Sequence, residues 1–171
     1  QDEGAARVLV NARFGGMAFP HRFVVELEST GIEWVISDVV CDAGPADVAA
    51  TFYNLYAAYA RYDMDHGTGR MPLVDWGWAW TDYLNAALLA DLQATFASSG
   101  PRPADPVMCA QDLPAYFKME AVETDTETAR VIVRGAYASG PDTYQLYDLA
   151  TVDLIADGAW MIDRIVCQQG G

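Results

Sequence analysis

The first 41 residues alternate apolar and polar positions in the way that is typical of β-strands. The alternation and the β-branched content predict one strand over 6–14, a second from Phe19 to Glu28 and a third from Trp34 to Val40. Gly15-Gly16 separates the first two strands, and Gly31 marks the second turn. This order predicts an antiparallel meander, which by itself would not bury enough surface to be stable.

The pattern changes at Pro45, a residue suited to the first turn of a helix. Apolar side chains then recur with a period of about 3.6 residues, which predicts a helix ending near Tyr62. Thr81 is a suitable N-cap for a second helix that runs to about Ala97. The apolar stripes of the two helices comprise Val48, Phe52, Leu55, Tyr56 and Tyr59, and Leu84, Leu88, Leu92 and Phe96.

The last third of the chain returns to strand patterns. Strands are predicted over Tyr116–Glu123, Ala129–Ala138, Tyr144–Ile155 and Trp160–Val166, with Asp157-Gly158 as a hairpin turn. Two helices followed by four antiparallel strands predict an α+β fold, in which a curved antiparallel sheet packs on the helices.

Three sequence blocks near the N-terminus are repeated in the same order near the C-terminus. Ala6-Arg7-Val8-Leu9-Val10 matches Ala129-Arg130-Val131-Ile132-Val133, Val25-Glu26-Leu27 matches Val152-Asp153-Leu154, and 34–41 matches 160–167. Chance alternation of Val and Ile explains the first two blocks, but it is a poor explanation for Trp-x-Ile-x-x-x-Val-Cys occurring twice. We therefore interpret the blocks as an internal duplication.

The duplication predicts two units of unequal completeness. Residues 42–171 form a complete unit, whereas 1–41 correspond to the back half of such a unit, since no helices come before them. Either the chain is truncated, or the half-repeat adds a three-stranded meander to the complete domain.

The positions of the three cysteines fit the same duplication. Cys41 and Cys167 end equivalent strands, and Cys109 lies in the middle of the complete unit. We therefore predict a Cys109–Cys167 disulfide, with Cys41 free or intermolecular, and the alternative is three unpaired thiols in the core.

The composition excludes several classes of function. Hydrophobic residues make up 52% of the chain and charged residues 20%, so a folded domain is expected. The net charge of -14 opposes binding to nucleic acid. No apolar run reaches the roughly 18 residues of a membrane span, so no membrane association is expected. The polar start Gln1-Asp2-Glu3-Gly4 would fit a mature chain after signal removal, which favours a secreted or periplasmic protein.

Several motifs in residues 45–171 point towards a known superfamily. They are Val48-Ala49-Ala50-Thr51-Phe52-Tyr53, 84–92, Asp105-Pro106 before Cys109-Ala110-Gln111-Asp112, and Asp157-Gly158-Ala159-Trp160. With the helix–helix–meander order, this region resembles the nuclear transport factor 2-like (cystatin-like) superfamily, and within it a family of secreted bacterial proteins of unknown function. The resemblance implies a conical pocket between sheet and helices. It leaves the function open, because the scaffold hosts isomerases, dehydratases, binding domains and dimerisation modules.

Enzymes of this superfamily place an Asp/His or Asp/Tyr pair inside the cone. The weak catalytic candidates here are Asp112, Asp63, Asp65 and His66. The structural alternative for Asp112 is that it ties down its loop through backbone hydrogen bonds, and His66 is interpreted as a loop histidine. Asp63-x-Asp65-x-Gly67 begins like a calcium loop, but Val74 stands where the last carboxylate is needed, so no metal site is predicted.

The aromatic residues are the candidates for ligand binding. Trp76, Trp78 and Trp80 alternate, so in an extended segment their rings would share one side. With Tyr56, Tyr59 and Tyr83 they would line an apolar pocket or a partner site. The alternative is that they plug the open end of the cone.

Three functions follow from these observations. We favour a non-enzymatic domain that binds a small apolar molecule or a protein partner. The first alternative is an assembly module whose residues 1–41 pair strands between chains, which would give a homodimer. The second is a small enzyme of the isomerase or dehydratase type. No cofactor is expected for any of them.

Overall fold

The computed structural model describes residues 4–12, 21–41, 43–98, 105–141 and 143–168. The fold is α+β and contains two separate antiparallel sheets. The elements are β1 (Ala5–Ala12), β2 (His21–Ser29), β3 (Trp34–Cys41), α1 (Pro45–His66), α2 (Pro72–Asp75), a 3-10 turn (Gly77–Ala79), α3 (Ala86–Ala97), β4 (Tyr116–Thr124), β5 (Thr128–Gly140), β6 (Thr143–Ala156) and β7 (Trp160–Cys167).

The predicted strands are confirmed in type and order. The last four begin and end within two residues of their predicted bounds. Gly158 adopts the left-handed φ of 69° that the tight turn between β6 and β7 requires. The predicted strand residues 13, 14, 19 and 20 lie outside the described part of the chain, as does the state of the Cys41 thiol.

Two predicted helix boundaries are wrong, namely the end of the first helix and the start of the second. Helix α1 continues one turn past Tyr62, because its last turn is solvent-facing and tolerates the polar sequence up to the left-handed C-cap at Gly67. Helix α3 starts at Ala86, and its N-cap is Asn85, whose side chain accepts a hydrogen bond from the Leu88 amide at 2.7 Å. Thr81 instead donates its hydroxyl to the Trp78 carbonyl.

The core lies between α1, α3 and one face of the four-stranded sheet. Its largest members are aromatic and come from α1 and from the segment that follows α2. Leu84, predicted on the second helix, lies before it and bridges to Ile162 of β7. The fully buried side chains include Phe52, Tyr53, Tyr56, Trp80, Leu73, Leu84, Val131, Val152, Leu154 and Ile162.

The predicted disulfide between Cys109 and Cys167 is confirmed. It joins the loop after α3 to the end of β7, with 5.2 Å between the two Cα atoms. Cys109 has a φ of 55°, a left-handed conformation that costs a non-glycine residue about 1 kcal/mol or more. The crosslink and a hydrogen bond from the Cys109 amide to the Asp105 carbonyl, at 2.7 Å, hold the residue in that conformation.

The meander β1–β3 has the same strand register as β5–β7. Val8 pairs with Val25 and Val25 with Val39, as Val131 pairs with Val152 and Val152 with Ile165. The central strands carry their register shift at matching positions, Glu26/Leu27 and Asp153/Leu154. A cross-strand ion pair also recurs, between Arg7 and Glu26 and between Arg130 and Asp153.

Asp47 connects the meander to the four-stranded unit. Its carboxylate accepts a hydrogen bond from the Gly44 amide at the start of α1 and pairs with Arg7 of β1 at 2.8 Å. Leu9 packs against the core and Val24 is buried. One face of the meander therefore lies towards the body of the molecule.

The outer face of the four-stranded sheet carries a ladder of ion pairs. Arg130 and Arg164 both bind the Asp153 carboxylate, at 2.9 Å and 2.6 Å. Arg134 binds Asp148 and Glu120. Burial by itself would raise the pKa of Asp153, but the hydrogen bonds from the two arginines outweigh it and lower the pKa.

Loss of the disulfide is expected to destabilise the fold. A Cys109→Ser/Cys167→Ser variant should lose about 4 kcal/mol in the free energy of unfolding, because the bond joins residues 58 positions apart and restricts the unfolded chain. Urea unfolding followed by tryptophan fluorescence measures the loss. Dithiothreitol should destabilise the parent protein and leave the double variant unchanged. A parent protein insensitive to the reductant would contradict the expectation.

The lowered pKa of Asp153 predicts a contribution to acid sensitivity. Its stabilising effect is complete above the unfolded-state pKa of about 3.9 and is lost as the pH falls through the lower native pKa. Asp153→Asn should therefore reduce stability at pH 7 and flatten the decline of stability below about pH 4. Urea midpoints across this range measure the effect. Asp91→Asn, at an exposed position of α3, is the control and should leave the decline unchanged.

Candidate functional site

The three tryptophans of 76–80 lie in different environments. The segment is not extended, because α2 and the 3-10 turn occupy 72–79. Trp80 is fully buried, Trp76 is half-buried and Trp78 is 74% exposed. The expectation that their rings share one side is therefore wrong, since turn geometry rotates successive side chains in a way that strand geometry does not.

Trp80 fills the space between α1 and the sheet. Its ring lies 5.7 Å from the rings of Phe52 and Tyr56, and its indole N–H donates to the Pro72 carbonyl at 2.8 Å. Tyr83 is also buried, with its ring 6.3 Å from Phe52. Three of the six predicted ligand-binding residues, Tyr56, Trp80 and Tyr83, are thus core residues. Their packing supports the interpretation that this part of the cluster is a plug.

Asp105 organises the loop that carries the disulfide. One carboxylate oxygen accepts the Tyr56 hydroxyl at 2.7 Å, and the other accepts the amides of Val107 and Met108 at 2.8 and 2.9 Å. Asp105 is part of a motif quoted above, but its role in the loop was not predicted. The available signal was an Asp that precedes Pro106 at the start of a short loop, a setting in which Asp commonly accepts local backbone hydrogen bonds.

Tyr53 presents a buried hydroxyl that has no hydrogen-bond partner among the described residues. Burial raises the pKa of this phenol far above its usual value, and the negative charge of Asp105 raises it further. Tyr53 is therefore a neutral phenol at neutral pH.

Tyr59 and Trp76 line an open cleft on the outer side of α1. Their ring centroids are 4.5 Å apart and the ring planes are inclined by 35°. Tyr59 also contacts the buried Trp80 ring at 5.5 Å, so the cleft wall is supported by the core. The cleft has a volume of about 410 Å³ and is lined by Leu55, Ala58, Tyr59, Tyr62, Arg70 and Trp76.

Arg70 provides the positive charge of the cleft. Its guanidinium carbon lies 5.6 Å from the centre of the Trp76 ring, within cation–π distance. Within the described part of the chain, the guanidinium makes no salt bridge, whereas Arg7, Arg130 and Arg134 all do. The charge of Arg70 is thus available to a bound anion.

Asp63 holds the loop that positions Arg70. Its carboxylate accepts hydrogen bonds from the Thr68 hydroxyl and from the Arg70 amide, the latter at 2.9 Å. These hydrogen bonds, with that of Thr68 the largest cause, lower the pKa of Asp63. A carboxylate with a lowered pKa is a weak general base, so the geometry favours a positioning role for this catalytic candidate.

The remaining catalytic candidates make separate contacts, and no hydrogen bond joins any two of them in the described residues. The His66 ring stacks on Tyr62 with 4.2 Å between centroids, and its Nδ1 lies 2.8 Å from the Tyr62 carbonyl oxygen. Asp112 is exposed, and its backbone carbonyl accepts the Tyr137 hydroxyl at 3.1 Å. Asp65 is exposed on the last turn of α1. The four candidates therefore do not form a shared catalytic arrangement.

The described residues carry neither a metal-binding cluster nor a membrane-spanning helix. They contain no group of three or more His, Cys, Asp or Glu side chains placed to hold a metal ion. Within the same ranges, no helix is both long and apolar enough to cross a membrane.

No known protein family, curated protein or solved structure matches this chain.

Removing the hydroxyl of Tyr53 or of Tyr56 is expected to change the free energy of unfolding in different ways. Tyr56→Phe should lower the free energy of unfolding by about 1–2 kcal/mol, because the bond to Asp105 is lost. Tyr53→Phe should leave it unchanged or raise it by up to about 1 kcal/mol, because a buried hydroxyl without a partner is costly. Each variant is the other's control in urea unfolding. Equal losses in both would contradict the assignment.

Proposed function

We propose that residues 42–171 form a non-enzymatic binding domain of a secreted or periplasmic protein, and that its ligand is a planar apolar molecule carrying an anionic group. The observation that carries the proposal is the cleft of Tyr59, Trp76 and Arg70. The Cys109–Cys167 disulfide supports the location, since such crosslinks persist in oxidising compartments.

The shape of the cleft favours a flat ligand. Tyr59 and Trp76 offer aromatic surface, and Leu55 and Ala58 of α1 form an apolar floor. The volume of about 410 Å³ falls within the range of small-molecule sites. A ring system of one or two fused rings matches both the size and the aromatic lining.

The charge of the cleft favours an anionic group on that ligand. Arg70 is one of ten basic residues in a chain of net charge -14, so a free guanidinium is uncommon on this surface. Its fork of N–H donors matches a carboxylate or sulfonate. The surrounding negative charge would repel a ligand carrying more than one or two negative charges.

A protein partner is the second candidate for the same site. The segments that form the cleft also expose large apolar side chains, namely Met64, Met71, Val74 and Trp78. Such side chains suit a partner that inserts an aromatic or acidic residue into the cleft. The isomerase or dehydratase alternative receives no support from the positions of Asp63, His66 and Asp112.

Binding of 2-naphthoate, compared with its neutral analogue 2-naphthamide, tests the proposal. Isothermal titration calorimetry of the parent protein should show binding of both, with the carboxylate tighter. Arg70→Gln should weaken naphthoate by about ten-fold and leave naphthamide unchanged, because only the charged hydrogen bonds are removed.

Trp76→Leu and Trp78→Leu form the matched pair of variants for the aromatic wall. Trp76→Leu should weaken both ligands, whereas Trp78→Leu should weaken neither, because Trp78 does not line the cleft. Thermal unfolding confirms that each variant is folded. Equal binding to the Trp76 and Trp78 variants would place the ligand elsewhere and contradict the proposed site.

A further inference from the structure

One face of the β1–β3 meander is almost entirely apolar and is partly exposed to solvent. Paired residues of adjacent strands project from the same side of a sheet, so the strand register identifies the members of this face. We call it the apolar face of the meander. Its described side chains are Ala6, Val8, Val10, Phe23, Val25, Leu27, Ser29, Trp34, Ile36 and Val39; only Ser29 is polar and none of them is charged.

The matching face of β5–β7 is the inner wall of the core. Val131, Val152, Leu154 and Ile162 occupy the equivalent positions there and are no more than 1% exposed. In the meander, Val8, Trp34, Ile36 and Val39 are between 44% and 65% exposed. Equivalent apolar positions are thus buried under helices in one sheet. In the other sheet the described residues leave them partly exposed.

The opposite face of the meander already has its contacts. Val24 is 1% exposed, Leu9 packs against the core, and Arg7 binds Asp47 at the start of α1. The apolar face therefore points away from the body of the molecule. A contiguous apolar patch of this kind marks an interaction surface, whereas isolated exposed apolar residues do not.

Charge and area argue for a second copy of the chain as the occupant. A net charge of -14 opposes the approach of two copies, but it opposes it least at a face that carries no charged side chain. The exposed fractions of these side chains correspond to roughly 500 Å² of surface per copy, so stacking two copies would bury about 1,000 Å², which is at the lower limit for a specific interface. The outer face of β4–β7 is unsuitable, because its arginines and carboxylates form the ion-pair ladder.

We propose that two copies of this chain stack the apolar faces of their meanders on each other in a twofold-symmetric dimer. Each copy contributes the same residues to such an interface, with the two sheets about 10 Å apart. Stacking removes the apolar side chains from water. Pairing of strand edges between chains would leave them exposed, so stacking is the better arrangement.

Two neighbouring residues of β3 provide a matched test. Ile36 belongs to the apolar face, whereas Val35 projects from the other side, and they are 65% and 42% exposed. Glutamate at either position is open to solvent in a single copy, so the folding of the monomer tolerates both variants. In the stacked dimer only Ile36→Glu buries an unpaired charge.

The measurement is sedimentation equilibrium over a roughly hundred-fold range of micromolar protein concentration. All samples carry Cys41→Ser, which excludes an interchain disulfide. The Cys41→Ser parent should show a reversible monomer–dimer equilibrium. Ile36→Glu should weaken the dimer by about a hundred-fold or more, and Val35→Glu by about two-fold or less. A parent that stays monomeric would overturn the proposal, and so would equal weakening by the two variants, which indicates pairing at the strand edge.

Discussion

The packing of the α1 aromatic residues on the inner face of the four-stranded sheet is the interaction on which the other features depend. Phe52 and Tyr56 meet the Trp80 ring there, and all three are fully buried. Each buried aromatic side chain contributes on the order of 2 kcal/mol. Because the rings fill this part of the interior, the proposed ligand site is the open cleft lined by Tyr59 and Trp76. Tyr59 joins the two regions, since it touches both Trp80 and Trp76.

Most of the described arginines of this acidic chain are paired with carboxylates. Arg130, Arg134 and Arg164 neutralise carboxylates on the outer face of the sheet. Arg7 connects the meander to α1 through Asp47. Arg70 differs from these, because its guanidinium lies over the Trp76 ring and makes no salt bridge in the described part of the chain, although its charge helps to lower the pKa of Asp63. The contrast between paired arginines and this one distinguishes charges that support the fold from a charge available for binding.

The meanders β1–β3 and β5–β7 have similar sequence patterns but lie in different environments. Their strand pairings agree residue by residue from Ala5 to Val10 of β1 and along β2–β3, including the register shift in the central strand and the Arg–carboxylate pair across it. The duplication itself stays a prediction. What differs is the layer above the sheet, since α1 and α3 cover β5–β7 and no described residue covers Ile36 and its neighbours.

Much of the fold was predictable because strand alternation, helix period and turn glycines act locally. The strands, the Asp157-Gly158 turn and the α+β class followed from such patterns, and the Cys109–Cys167 bond followed from the repeat. The sequence predicted six aromatic ligand-binding residues, but only Tyr59 and Trp76 among them line the cleft. Arg70 and Asp105 were missed, because their roles depend on contacts with residues distant in the chain or on loop geometry.

The sequence by itself determined the elements, their order and the excess of negative charge, because these depend on residue identity and short-range spacing. Only the tertiary structure decided which aromatic side chains are core and which are surface. Trp76, Trp78 and Trp80 are identical in chemistry and nearly adjacent, yet one lines a cleft, one is exposed and one is buried. Their difference arises from the turn after α2 and from the packing of α1, which set the direction of each ring and are not encoded in the spacing of the three residues.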